Sequence, residues 1–366
     1  MDINNFIDRL LEKNLPFVCY FEPNSNVPKS VLNIDKKPEI LDSFEELNSK
    51  KGFVFAPFEN KKSSPIIVIE DEIFLQGYDE IGNFDLKLLK KNENFNDFFC
   101  GENEINLEDY TKQISEAISS IKSKKANKIV ISKFKNIKRK DEKLSDLFVE
   151  LKKRNPKVFV YIINIPNIGL WLGATPEMLL IADKNTANTV SLASTQTLKT
   201  DKNYSWGVKE IEEQAFVSRY IVDTLNKFNI PNYDTIGPET FETSVVAHLK
   251  TSFSFNMEPI RDKVGSFISH LAPTPAVCGM PKKEAKELIL KIEKYDRKYY
   301  AGFLGAFKLE KDDIKLFVNI RCMEVLKEHY KLYVGGGITA KSIAKDEWDE
   351  TENKAQTLLN TIKSIQ

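Results

Sequence analysis

Between Lys128 and Ala193, five short segments rich in β-branched and aromatic residues succeed one another: Lys128–Phe134, Val158–Ile165, Leu170–Gly173, Met178–Ala182 and Thr189–Ala193. Most of the gaps between them are too short for the crossover that parallel neighbours need, so these strands are expected to pair antiparallel. Similar segments recur at Gly302–Leu309, Ile314–Val325 and Tyr330–Val334, and nearer the N-terminus at Pro16–Tyr20, Gly52–Phe58 and Pro65–Phe74. Helical periodicity interrupts them. Phe6, Ile7, Leu10 and Leu11 form one apolar stripe and Ile114, Ala117, Ile118 and Ile121 another. A long helix is expected over about 204–228, shorter ones near 261–271 and 281–295, and a last amphipathic one over about 344–365. Mixed blocks of strands and helices without βαβ alternation read as an α+β fold, with no internal repeat and no linker.

Charge removes several function classes. Among 366 residues, 53 Lys+Arg balance 53 Asp+Glu, which argues against a nucleic acid or a membrane surface held by bulk electrostatics. A small anion held by a few placed cations stays open. Cys19, Cys100, Cys278 and Cys322 are scattered without a C-x-x-C pair, so reduced thiols and a cytoplasmic setting are expected. The opening MDINNFIDRLLEKN lacks the apolar core of a signal peptide. Val158 to Pro176 carries no charge, but the turn residues Asn164 to Gly169 divide it into two strands rather than a membrane span.

Chemistry gathers at a few places. Glu210-Ile-Glu-Glu213 falls in the long helix and Glu347-Trp-Asp-Glu350 in the last one, and glutamates three apart share a helix face. If the two faces meet, four carboxylates converge, which is tolerable only around a hard cation such as Mg2+. Two solvated acidic faces fit the same residues, so both readings stand at this point. A di-iron centre is disfavoured, because no His follows three after a Glu on these helices. Gly335-Gly-Gly337 follows a strand and reads as a tight turn whose N–H groups can approach an anion, although neither a dinucleotide fingerprint nor a P-loop surrounds it. Lys128, Glu177, His248 and Arg321 are isolated polar residues beside apolar strands, and their spacing alone does not bring them together.

In order along the chain, ten blocks resemble the chorismate-utilising enzymes: Lys128-Ile-Val-Ile-Ser132-Lys133, Gly173-Ala-Thr-Pro-Glu177, Leu192-Ala-Ser-Thr195, Lys209-Glu-Ile-Glu-Glu213, His248-Leu-Lys-Thr251, Pro273-Thr-Pro-Ala-Val-Cys-Gly279, Tyr299-Tyr-Ala-Gly302, Ile320-Arg321, Gly335-Gly-Gly-Ile338 and Glu347-Trp-Asp-Glu-Thr-Glu-Asn-Lys354. The family includes isochorismate, salicylate, anthranilate and aminodeoxychorismate synthases. The resemblance implies a single large domain of antiparallel sheets with flanking helices, in which 1–104 is a variable N-terminal part and 105–366 the chorismate-binding catalytic region.

It further implies that Glu213 and Glu350 hold Mg2+, supported by Glu210 and Glu347. Arg321, Lys354 and the backbone at Gly335 and Gly337 would meet the enolpyruvyl carboxylate, with Ser194, Thr195, His248, Thr251 and Tyr300 also at the substrate. Relatives that add water at ring carbon 2 have Lys at the Lys128 position, whereas those adding ammonia commonly have Gln. By resemblance, then, Lys128 is the base toward water and Glu177 the acid toward the departing hydroxyl at ring carbon 4. A lysine base needs its free pKa of ~10.4 depressed, and a glutamic acid needs its ~4.3 raised. Ala193 disfavours the aminodeoxychorismate branch. No glutaminase elbow is present, so no glutaminase subunit is expected.

The resemblance is most like the isochorismate synthases of the menaquinone branch, acting as a monomer. Salicylate synthase, which also eliminates pyruvate, is the alternative, and a non-catalytic chorismate-binding relative a further one. Ser194 and Gln196 depart from the family's usual Gly and basic residue; a side chain at 194 narrows the pocket or adds a hydroxyl to it.

Overall fold

Two nine-stranded antiparallel sheets face each other in the computed structural model, which describes residues 2–92, 104–243 and 246–366. One sheet runs Gly279–Met280, Lys128–Lys138, His329–Ile338, Cys322–Val325, Gly169–Thr175, Phe159–Ile165, Phe17–Phe21, Lys29–Leu32, Ile73–Gln76. The other runs Tyr233–Glu242, Val246–Asn256, Thr186–Thr197, Met178–Ala182, Ile314–Val318, Phe303–Phe307, Gly52–Ala56, Ile66–Glu70, Glu39–Leu41. Residues before 105 thus supply strands to both sheets. Cys100 lies outside the described residues; Cys19, Cys278 and Cys322 are free and buried.

The period of two along a strand explains why an uncharged run such as Phe159–Ile165 is buried on both faces. Phe159, Tyr161, Ile163 and Ile165 enter the core between the sheets, while Val160 and Ile162 enter a second core on the outer face. Aromatic contacts tie the sheets together: the ring centroids of Phe159 and Phe317 are 4.3 Å apart and those of Tyr20 and Phe53 5.3 Å. The helices Ile3–Glu12, Leu144–Arg154 and Ala344–Ile365 cover the outer face of the first sheet, and Val208–Lys227 packs on Thr186–Thr197 of the second. The uncharged run 158–176 forms the hairpin Phe159–Ile165 and Gly169–Thr175, as its turn residues predict. Among the described residues no helix is long and apolar enough to cross a membrane.

Two differences from the sequence reading bear on the site. The run 314–325, expected as one strand, is two strands in different sheets, Ile314–Val318 and Cys322–Val325. The chain crosses between sheets at Asn319, Ile320 and Arg321, and Arg321 takes the left-handed conformation at φ 52°. Secondly, Gly335 to Gly337 do not turn. They continue the strand His329–Ile338, paired residue for residue with Lys128–Lys138.

Candidate active site

Both sheet crossings open onto one cavity. Gly169–Thr175 of the first sheet passes through Pro176 and Glu177 into Met178–Ala182 of the second. The return crossing beside it carries Arg321, so the acid and the guanidinium are delivered by neighbouring chain reversals. Backbone bonds lock the pair of crossings: Val318 N donates to Glu177 O at 2.9 Å and Ala174 N to Arg321 O at 3.0 Å. The cavity holds about 650 Å3 of empty space, counting its open mouth, and is walled by Glu177, Ser194, Thr195, Glu213, His248, Tyr300, Arg321, Gly335, Gly337, Glu350 and Lys354 among others. Eleven positions singled out in the sequence therefore meet at one wall.

Lys128 is one layer behind it. Its side chain is fully buried and Nζ lies 2.8 Å from Glu213 Oε1. Beyond this ion pair Nζ has no hydrogen-bond partner among the described residues. Gly337 makes room for the pair: a Cβ there would come within 2.6 Å of Glu213 Oε1 and 2.8 Å of Lys128 Cε. Gly335 makes similar room for the Tyr300 hydroxyl, 2.8 Å from where a Cβ would stand. The glycine run is needed for close approach within a strand, which is why it does not turn.

The charges are sorted by burial and by their neighbours. Burial pushes the Glu177 carboxyl up to about 7, against smaller opposing effects of a Thr274 hydrogen bond and the Lys128 and Lys354 charges. Burial alone would raise Glu213 as well, but Lys128, Lys354 and Ser194 outweigh it and hold that carboxyl below its ordinary range. Two carboxylates on one cavity are thus driven in opposite directions, the pattern that separates an acid from an anion. Burial and the adjacent Arg321 charge push His248 down to about 3, leaving it neutral. Its Nδ1 is 2.8 Å from Ser194 O and donates to that carbonyl, so Nε2 is the acceptor facing Arg321 Nη2 at 3.5 Å. Arg321 also donates to Lys354 O at 3.0 Å, and Lys354 Nζ contacts Glu350 at 2.6 Å and donates to Gly335 O at 3.0 Å.

Ser194 sits at a bulge in Thr186–Thr197, where the pairing register shifts between Ala193 and Gln196. Its φ of 59° is a conformation that glycine adopts without cost and other residues only at about 1–2 kcal/mol. In exchange its hydroxyl reaches Glu210 O at 2.8 Å and Glu213 Oε2 at 3.1 Å. Ser194→Gly and Ser194→Ala both lose that hydroxyl, but only Ala keeps the backbone strain. The Ala variant is expected to be the less stable by about 1 kcal/mol in urea unfolding; equal stabilities would count against the strain.

The remaining expectations divide. Thr251 is not on the wall; its hydroxyl accepts from Gln214 Nε2 at 3.0 Å behind it. Of the four glutamates expected to converge, only Glu213 and Glu350 face the cavity. The Glu210 carboxylate folds back toward the start of its own helix, where a Cβ on Gly207 would lie 2.8 Å from Oε2. Glu347 is buried behind Gly336. Among the described residues no three His, Cys, Asp or Glu side chains gather in a metal-ligating arrangement. The donor chemistry still suits Mg2+, which proteins commonly hold with one or two carboxylates while water and substrate oxygens complete the shell.

Sequence reasoning gave no place at the substrate to the mostly apolar wall, Val130, Leu192, Ala193, Ala276, Val277, Ile320, Tyr333 and Val334, nor to Thr274, whose Oγ1 donates to Glu177 Oε1 at 3.2 Å, although most of them lie in the quoted blocks. The block Pro273 to Gly279 was the available signal, since its run of prolines and small residues marks an ordered turn.

Known proteins resemble this chain in sequence and in fold. The chain is 25% identical over 261 residues to the vibriobactin-specific isochorismate synthase of Vibrio cholerae, a match covering 69% of this chain and 66% of that protein. It is 27% identical over 258 residues to the isochorismate synthase MenF of Haemophilus influenzae, covering 68% of this chain and 59% of that protein. The matched stretch thus spans a little under two thirds of these relatives. MenF, the menaquinone-specific isochorismate synthase from Escherichia coli, superposes with a TM-score of 0.76 over 95% of this chain and 88% of that one at 18% identity, a likeness of fold. The family described as "Chorismate binding enzyme" matches residues 70–363, a span that holds both sheet crossings and every wall residue named above, and the chain belongs to that family.

Proposed function

We propose that this chain is an isochorismate synthase, adding water at ring carbon 2 of chorismate while the hydroxyl at ring carbon 4 departs. Glu177 carries the reading: an acid pushed up to about 7 on the wall of a cavity that also bears Arg321 and Lys354 suits the protonation of a leaving hydroxyl from an anionic substrate. In its neutral amine form Lys128, set behind Gly337, would take one proton from the attacking water at Nζ, Glu177 would give one to the departing hydroxyl, and the ring double bonds would shift between the two carbons. Atoms balance as an isomerisation. Arg321 presents a planar fork suited to a carboxylate, and its contact with neutral His248 takes nothing from that charge. Burial lowers Arg321 to about 10, so it stays cationic at neutral pH.

Glu213 and Glu350 would hold Mg2+, which when bound supplies positive charge toward a substrate carboxylate. Likeness of Lys209-Glu-Ile-Glu-Glu-Gln214 and Gly173-Ala-Thr-Pro-Glu177 to the menaquinone branch supports menaquinone formation as the route served. Incubation with chorismate and Mg2+, followed by chromatography, is expected to yield isochorismate, and a chelator is expected to stop it. Salicylate with pyruvate would favour the salicylate alternative. A ligand-stabilised but inert protein would favour the binding-only one.

A further inference from the structure

A carboxylic acid has one oxygen that donates and one that only accepts, so an acid catalyst must carry its proton on the oxygen that faces the leaving group. Thr274 bears on that choice. It is 3% exposed, and its Oγ1 lies 3.2 Å from Glu177 Oε1, with no other hydrogen-bond partner for that hydroxyl among the described residues. Its position is fixed by a turn in which Val277 N and Cys278 N both donate to Thr274 O, at 3.1 and 3.0 Å. Arg297 Nη1 donates to Val277 O at 3.0 Å and anchors the turn from behind, while Arg297 itself is held by Glu293 at 2.6 Å. The same turn carries Ala276 and Val277 to the cavity wall. A rigid donor aimed at one carboxyl oxygen makes that oxygen the carbonyl and leaves the proton to the other.

We infer that Thr274 is a positioning residue for Glu177: its hydroxyl engages Oε1 and so assigns the transferable proton to Oε2. This rests on the proposed role of Glu177 as the acid. The charged groups bearing on Glu177 are Lys128 from the strand Lys128–Lys138 and Lys354 from the last helix. Glu213, His248, Tyr300, Arg321, Tyr333 and Glu350 are the other titratable groups on the wall. None of them is exchanged in the test.

Thr274→Val removes the hydroxyl at nearly constant shape, and Thr274→Ser keeps it. With chorismate as substrate, the Val variant is expected to lose about tenfold in kcat with KM within about twofold, and the Ser variant to recover most of kcat. Loss of a donor to the carboxyl disfavours its ionised form, so the alkaline limb of the Val variant's pH profile moves to higher pH. A second readout needs no turnover: the infrared carbonyl stretch of protonated Glu177, identified by its absence in Glu177→Gln, is expected to rise in frequency in the Val variant and stay in place in the Ser variant. An unchanged stretch in Thr274→Val would overturn the inference, as would equal losses of kcat in both variants, which would mark a packing role. Should the unaltered protein convert no chorismate, the proposed function fails while the infrared result still decides the inference about Thr274.

Discussion

Lys128→Met is expected to lower the rate of isochorismate formation about a thousandfold or more, with chorismate still bound. Met has a similar length but offers no proton acceptor, and a positioned base contributes about 10²–10⁴ in rate. The variant also unpairs Glu213, which keeps Lys354 and the Ser194 hydroxyl as its neighbours. A buried carboxylate deprived of its main counter-charge destabilises the fold by about 3–5 kcal/mol when nothing replaces it. Circular dichroism and thermal unfolding should accompany the kinetics, because a folded Lys128→Met protein with ordinary activity would remove the base from the mechanism.

Glu177→Gln is expected to abolish turnover by a similar factor while making the protein more stable at alkaline pH. The two effects share one cause. Burial raises the folded-state carboxyl from the ordinary 4.5 to about 7, so between those values the folded protein binds a proton that the unfolded chain has released. Stability therefore falls as pH rises from 4.5 through 7, and above 7 the buried anion costs about 3 kcal/mol relative to the protonated acid. Gln cannot ionise and escapes that cost. Urea unfolding at about pH 5 and about pH 9 should show the variant gaining on the parent protein only at the higher pH. A gain that is the same at both values would mean that packing, not ionisation, separates them.

Strong local patterns were legible. The uncharged segments around Phe159–Ile165 and Gly169–Thr175 announce a hairpin, and the stripes of Ile3–Glu12 and Leu107–Lys122 announce helices. What period and propensity do not encode is which sheet a strand joins. The run 314–325 keeps strand-like residues on both sides of Asn319, and its crossing at Arg321 bears no glycine to mark the left-handed backbone. Leu144–Arg154 was missed because its charged face dilutes the apolar stripe, and Tyr233–Glu242 because an exposed edge strand needs no apolar alternation. Gly335 to Gly337 look like a turn because nothing in the sequence shows Tyr300, Glu213 and Lys128 pressing on that strand from elsewhere.

At the site, the ordered blocks identified Lys128, Glu177 and Arg321, whose spacing alone could not unite them. The structure unites Glu177 and Arg321 on one wall and sets Lys128 directly behind it. Glu210 and Glu347 show the limit of helix-face reasoning: three-residue spacing gives a shared face, but where each carboxylate turns depends on Gly207 and Gly336 beside it.

In the proposed reaction, solvent attack at ring carbon 2 is the step on which the roles given to Lys128 and Glu177 depend. Turnover of chorismate in oxygen-18 water, read by mass spectrometry, tests it directly. Isochorismate carrying a single oxygen-18 atom in its ring hydroxyl is the expected product; unlabelled isochorismate, formed by migration of the original hydroxyl, would contradict it.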